Sequence, residues 1–365
     1  MLKIGILTFH YTNNYGASLQ SYALYKYLKN KNYNVNIIDY QNPKMERDFN
    51  NVNSLNNGVI DYLKNLIFYS HSNRKRKQGF ISFLNNVCLS QHHISDKKEL
   101  AKQSNDYDLI FVGSDQVWNY TITGEDYSFF LDFPTRASKN SYAASFGLSQ
   151  LDDEHSAIIG KMIKQFDNIS VREYQGKEIV KLISGRESKI VADPTFLLNK
   201  DDWSIFCKER PIKQRYLLIY CFGLTDSIIK VANDVAKERG LKVVHIDGSF
   251  SMTIKNRWIR LHGLSPSDWV NALYYADFII TNSFHGTAFS INFEKDFLVE
   301  LLPPPAKVNS RLINILSMMR LENRLINNGN WSKSGIDYTE ARGILEKLRN
   351  DSYLFIEKAC KDVNV

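Results

Sequence analysis

The sequence is poor in cysteine: Cys88, Cys207, Cys221 and Cys360 are spread over 365 residues, with no Cys-x-x-Cys pair and no histidine at zinc spacing. This excludes a disulfide framework and a structural metal site and predicts four reduced thiols. Long apolar runs are lacking too. Phe278-Ile279-Ile280 and the mostly apolar stretch Phe297 to Leu302 fall far short of the ~20 residues that cross a bilayer. The run Met1 to Leu7 carries one lysine and ends at once in Thr8-Phe9-His10-Tyr11. It reads as a first strand rather than a secretion signal, so a cytoplasmic location is expected. No Gly-x-Gly-x-x-Gly follows that strand, which argues against a dinucleotide site. With no zinc-finger spacing, helix-turn-helix pattern or aromatic RNA-binding motif, nucleic acid is not an expected partner.

What is present is an ordinary globular balance, 44% hydrophobic and 23% charged with a net charge of +7, in a chain long enough for two domains. Part of the positive charge sits in Arg74-Lys75-Arg76-Lys77, read as a solvated loop. The charge also suits small anions or peripheral contact with an anionic membrane surface.

Apolar runs alternate with helical periodicity along the chain. Lys3 to Phe9 is followed by the polar turn Thr12-Asn13-Asn14-Tyr15-Gly16, by the spaced apolar residues Leu19, Tyr22, Ala23, Tyr27 and Leu28, and by a second strand, Val35 to Ile38. This is a βαβ unit whose first loop suits a helix N-terminus that offers backbone N–H groups to a ligand. Asn14 and Gly16 are therefore candidate ligand contacts. Residues 41–105 read as an insertion containing a helical patch, Val59 to Phe68, that packs on a sheet or meets a membrane surface. Strands are expected at Leu109 to Val112, Ser141 to Phe146 and Asn168 to Val171, and in a second series at Tyr216 to Cys221, Val243 to Ile246, Phe278 to Thr281 and Phe297 to Leu301. Helices are expected at 227–239, 266–276, 287–293 and 339–361. The pattern predicts an α/β protein of two doubly wound, Rossmann-like domains facing a cleft, residues 1–205 and 206–335, with a helix in 336–365 that packs back on the first.

In open parallel sheets, ligands bind at the carboxyl ends of strands, so polar residues delivered there are the candidates for chemistry. His285 follows Phe278-Ile279-Ile280 in the turn Asn282-Ser283-Phe284-His285-Gly286-Thr287. An imidazole beside the donors of a helix start suits acid–base work. Ser283, Gly286 and Thr287 are its expected partners in substrate binding. Arg172, immediately after Asn168 to Val171, either grips phosphate or carboxylate or pairs with Glu173 or Asp193. Lys307 offers another cation. Asp115 and Gln116, after Gly113, suit sugar hydroxyls, with Trp118 as a flat face for a pyranose; Asp115 equally suits a helix cap. His10 stands at the end of the first strand and is a weaker candidate for the cleft. His262 reads as a supporting group, and His245 as part of a strand.

Together these segments resemble the polysaccharide pyruvyl transferase family over nearly the whole chain. The resemblance rests on Asn14-Tyr15-Gly16-Ala17-Ser18-Leu19-Gln20, Val112-Gly113-Ser114-Asp115-Gln116-Val117-Trp118, Ser170-Val171-Arg172-Glu173, Asp193-Pro194-Thr195 and Ala276-Asp277-Phe278 through Thr287, in that order. It implies a fold like the two-Rossmann-domain (GT-B type) glycosyltransferases and transfer of pyruvate from phosphoenolpyruvate to a sugar as a ketal. By motif position it assigns an essential arginine to Arg172, the acid–base histidine to His285 and a lysine to Lys307. Some members carry a basic residue where this chain has Ser283, and a proline where it has Ala306.

The implied partners are phosphoenolpyruvate, as donor substrate without a further cofactor, and a glycan or lipid-linked sugar acceptor. The rival readings are a nucleotide-sugar-dependent glycosyltransferase using the same kind of cleft and an inactive glycan-binding protein.

Overall fold

The computed structural model describes residues 1–44, 46, 70–248, 250–302, 309–326 and 334–363. The expected helical patch at 59–68 and Lys307 lie outside these residues. The chain divides into two compact units: Met1–Asn57, Leu84–Leu197 and Glu346–Val365 form the first, and Gly58–Phe83 and Leu198–Leu345 the second.

The first unit is built on parallel strands β1 (Lys3–Leu7), β2 (Asn34–Ile37), β3 (Leu109–Val112) and β4 (Ser138–Ser141), in the order β2-β1-β3-β4. Bridges from Asn140 to Asn168 and from Ala144 to Val171 carry the sheet on to β5 (Ser170–Val171) and β6 (Lys189–Ile190). Both faces are covered, so the central strands are apolar along their whole length. In β3, Ile110 and Val112 enter one core with Trp118, Phe129 and Phe146. Leu109 and Phe111 point the other way, into a core shared with Leu24, Ile37, Ile356 and Ala359. The order reverses between β1 and β3, a topological switch point.

The second unit is a parallel sheet of β7 (Tyr216–Tyr220), β8 (Lys242–Ile246), β9 (Ile259–Leu261), β10 (Phe278–Thr281) and β11 (Asp296–Val299), in the order β11-β10-β7-β8-β9. This is the dinucleotide-fold order, with its switch point between β7 and β10. Both units are thus Rossmann-like.

The structure departs from the sequence expectations in several places. The change of unit falls at Leu197/Leu198 rather than near residue 205, because the buried Trp203 indole packs edge-on to Phe289 at 4.9 Å within the second unit. The last helix, Thr339–Asp362, is divided between the units after Leu345. Its start is held by Arg342 on Glu294 at 2.7 and 2.9 Å, while Ile356, Ala359 and Cys360 enter a core of the first unit. Residues 84–105 are integral to the first unit rather than an appendage: Leu89 and Ile94 bridge to Ile37 and Tyr40, and Leu100 is fully buried. The basic run lies in the helix Ser70–Phe83, not in a loop. There Arg76 pairs with Asp247 at 3.2 Å, and Arg74 and Lys75 face outward. The strand expected at 141–146 is instead β4, whose inward groups include the buried polar side chains of Asn140 and Ser141. Among the described residues no helix is long and apolar enough to cross a membrane.

Candidate active site

In the second unit the carboxyl end of β10 is shaped by three polar side chains. Thr281 Oγ1 donates to the Tyr220 carbonyl at 2.6 Å and accepts from Ser283 N–H at 3.1 Å, turning the chain sharply out of the strand. Asn282 accepts from Phe222 N–H at 2.7 Å and donates to the Phe222 carbonyl at 3.2 Å, extending the β7–β10 contact beyond the ladder. Ser283 is the N-cap of the helix Phe284–Asn292, accepting from Gly286 N–H at 3.4 Å, and its carbonyl accepts from Thr287 Oγ1 at 3.0 Å. The helix therefore starts three residues earlier than the periodicity suggested, and His285 lies within its first turn rather than in a turn before it. Gly286 is required by packing, since a Cβ there would overlap Thr281 Oγ1.

His285 is buried, with its ring edge-on to Phe284 at 5.2 Å. First-turn N–H groups have no intrahelical carbonyl to meet, and the helix dipole favours negative charge at that end. The imidazole thus lies where an anion is stabilised, and it is a side chain that can exchange a proton at neutral pH. Two further groups reach the same edge of the sheet. Glu300, just after β11, is buried and accepts from Thr225 Oγ1 at 2.7 Å. Cys221, just after β7, is a poor nucleophile, because burial and then the Glu300 carboxylate push its thiol up.

In the first unit three of the sequence motifs converge on Arg172. Its Nη1 meets Asp193 at 2.8 Å, its Nε meets Glu173 at 3.4 Å and its Nη2 lies 3.7 Å from Asp115. Burial works against the charge, but the carboxylates of Asp193, Glu173 and Asp115 outweigh it and raise the guanidinium further. Two of these carboxylates are tied elsewhere as well. Glu173 accepts from Ser145 Oγ at 2.5 Å, and Asp193 caps the turn Pro194–Phe196, accepting from Thr195 N–H at 3.0 Å. Ser114 links this cluster to the switch point, donating through Oγ to Ala143 O at 2.9 Å and to Asp193 at 3.3 Å. Its N–H donates to Gln20 Oε1 at 2.9 Å, and Gln20 Nε2 donates to Thr8 Oγ1 at 2.8 Å. Gln20, fully buried in the first helix, was not singled out in the sequence; polar residues inside an apolar helical pattern are the signal that marks such a bridge.

The remaining candidates have local structural roles. Asn14 is the N-cap of the helix Tyr15–Asn30, accepting from Ala17 N–H at 3.3 Å, and Gly16 is buried in its first turn. Gln116 accepts from Asn119 Nδ2 at 3.2 Å and packs so closely on Gly147 that a Cβ there would overlap it. Trp118 is not a sugar platform. It is fully buried, stacked on Phe130 at 5.6 Å, with Nε1 donating to Phe129 O at 3.1 Å. Buried His10 faces Asp39 at 2.9 Å through Nε2 and Thr8 O at 3.2 Å through Nδ1. His262 meets Ser72 Oγ at 2.5 Å.

Solved structures resemble the chain at low identity. A putative UDP-N-acetylglucosamine 2-epimerase from Listeria monocytogenes is 12% identical over 96% of this chain and 90% of its own, with a TM-score of 0.49. The UDP-GlcNAc 2-epimerase from Methanocaldococcus jannaschii is 10% identical over 96% and 100%, with a TM-score of 0.48. The ADP-heptose LPS heptosyltransferase II of E. coli is 13% identical over 97% and 99%, with a TM-score of 0.39. Comparison with curated proteins returns no match. Residues 14–299, which contain every motif from the Asn14 cap to the His285 helix start, match the family model described as polysaccharide pyruvyl transferase, and the chain belongs to that transferase family.

Proposed function

We propose that the protein transfers pyruvate from phosphoenolpyruvate to a sugar of a cell-surface polysaccharide or its precursor, forming a cyclic ketal and releasing phosphate. The observation that carries this reading is His285, a buried imidazole in the first turn of a helix at a sheet switch point, in a chain of this family.

The enol phosphate sets the demands on the residues. His285 protonates the methylene carbon, which becomes a methyl group, and the adjacent carbon gains oxocarbenium character. One sugar hydroxyl adds to that carbon and gives up its proton to the now neutral imidazole, which restores the acid. A neighbouring hydroxyl forms the second C–O bond as the bond to phosphate breaks, and phosphate leaves with the remaining proton. Helix N-terminal amides and the Lys307 ammonium balance the donor's charge. Arg172, already shared by three carboxylates, serves as a positioning residue that orders Asp115 and Glu173. Asn14, Gly16, Gln116, Ser283, Gly286 and Thr287 act by shaping the two strand ends. Work in the cytoplasm, with peripheral contact to the membrane's inner face for a lipid-linked acceptor, fits these substrates.

The test is phosphate release from phosphoenolpyruvate in the presence of a glycan panel. His285→Ala is expected to lower turnover by roughly 10²–10⁴-fold; a variant that keeps near-wild-type turnover would falsify the assignment. Saturable nucleotide-sugar binding without phosphate release from phosphoenolpyruvate would favour the glycosyltransferase reading instead.

A further inference from the structure

Aromatic rings line the carboxyl end of β7 and β10, and all but one are buried. Tyr220 is 9% exposed, Trp269 0% and Phe284 9%, whereas Phe222 is 54% exposed. A single exposed apolar side chain needs no explanation by itself. Phe222 differs because its backbone is immobilised. Its N–H and carbonyl are both held by Asn282, at 2.7 and 3.2 Å. The next residue, Gly223, has φ 82° and no atom within 4 Å of where a Cβ would stand. The ring meets Tyr220 at 5.8 Å and 61° and is otherwise the exposed member of the group. Its place is fixed by register. Tyr220 pairs with Thr281, so Asn282 stands opposite Cys221 and its side chain reaches one residue further along to hold the Phe222 backbone; His285 follows Asn282 by three residues.

We propose that Phe222 is a stacking platform for the acceptor, receiving the apolar C–H face of a pyranose ring, with Asn282 as the residue that positions it. The proposal rests on the pyruvyl-transfer reading. A phenyl ring offers no hydrogen bond or charge, so it adds nothing to holding a small anion such as phosphoenolpyruvate. A pyranose has one face of C–H bonds and hydroxyls round its rim, and an aromatic surface binds the first while leaving the second open to reaction. Trp118, the residue expected to do this from sequence, is sealed in a core. Phe222 is exposed and is held by Asn282, at the same strand end that leads into the His285 helix.

Two measurements test the platform. In the phosphate-release assay, Phe222→Ala is expected to raise the KM for the acceptor by roughly 5-fold or more, the lower end of what a nucleobase gains on an aromatic face. The KM for phosphoenolpyruvate and kcat at saturating acceptor should stay within about twofold, and Phe222→Trp should restore the acceptor KM. An unchanged acceptor KM, or an equal rise in both KM values, overturns the proposal. The second measurement needs no turnover: saturation-transfer NMR with methyl galactoside, glucoside and mannoside, and with UDP, on wild type and Phe222→Ala. Transfer to pyranoside ring protons that disappears in the variant supports the platform even if phosphoenolpyruvate proves not to be the donor. Pyranoside transfer that persists in the variant, no transfer in wild type, or loss confined to uracil protons overturns it.

Discussion

His245 is a buried imidazole away from the proposed chemistry, and its protonation sets an acid limit on the second unit. It lies in β8 with its ring edge-on to Trp258 at 6.0 Å, and its Nδ1 has no hydrogen-bond partner among the described residues. Burial holds it down to about 4 from the ordinary 6.5; Asp247 opposes the shift and Arg260 adds to it. An unfolded chain protonates this histidine near 6.5, a folded one only near 4. Between those values the unfolded state binds more protons, so stability falls as pH falls through the window and is fully lost below it. At 1.36 kcal/mol per unit the whole shift is worth about 3 kcal/mol, of which about 2 is lost between about pH 7 and pH 5. His245→Phe keeps a ring against Trp258 and removes the proton. Urea unfolding of wild type and variant at about pH 7, 6 and 5 isolates the effect, because any packing cost of the phenyl ring shifts the variant equally at every pH. The expected result is that the stability difference moves by about 2 kcal/mol in the variant's favour on acidification. Parallel curves for the two proteins would refute the reasoning.

Two further outcomes follow from the strand ends. Gly286→Ala forces a Cβ onto Thr281 Oγ1, which anchors both the Tyr220 carbonyl and Ser283 N–H; the shifted helix start should cost roughly 10²-fold in kcat with circular dichroism unchanged. Arg172→Met leaves Asp115, Glu173 and Asp193 facing one another without their cation, which should cost about 3–5 kcal/mol in urea unfolding. Arg172→Lys keeps the charge but not the three-way fork, so its stability should lie between the two.

The parts legible in the sequence were those where one physical requirement dominates. β3, β7 and β10 are buried on both faces, and continuous apolar runs expose them directly. β9 and β6 have two or three residues each, partly exposed, and carry no pattern of their own. β4 was placed too late because its Ser138-Lys139-Asn140-Ser141 is polar and its buried hydroxyls are satisfied from β5, as in Ser141 Oγ to Ser170 O at 3.0 Å. The motifs around Arg172 were visible, but their convergence was not: Asp115 and Asp193 lie far from it in sequence and meet it only through the parallel sheet. Trp118 was misread because its cover, Phe130, Phe146 and Phe166, comes from later segments. Phe222 gave no signal, since a lone phenylalanine after a strand looks like part of the core.

The helix Thr339–Asp362 has an implication for how such chains are recombined. Its first residues belong to the second unit, while from Glu346 onward it belongs to the first. A single crossover between two relatives, placed at residue 197, delivers the second unit without its 58–83 segment, together with a foreign strip of Ile356, Ala359 and Cys360 for the first unit's core. Keeping the first unit's own strip takes a further crossover near residue 345, inside a continuous helix. At about 3.6 residues per turn, one residue inserted there rotates the strip by roughly 100° and turns its apolar face from the core toward water.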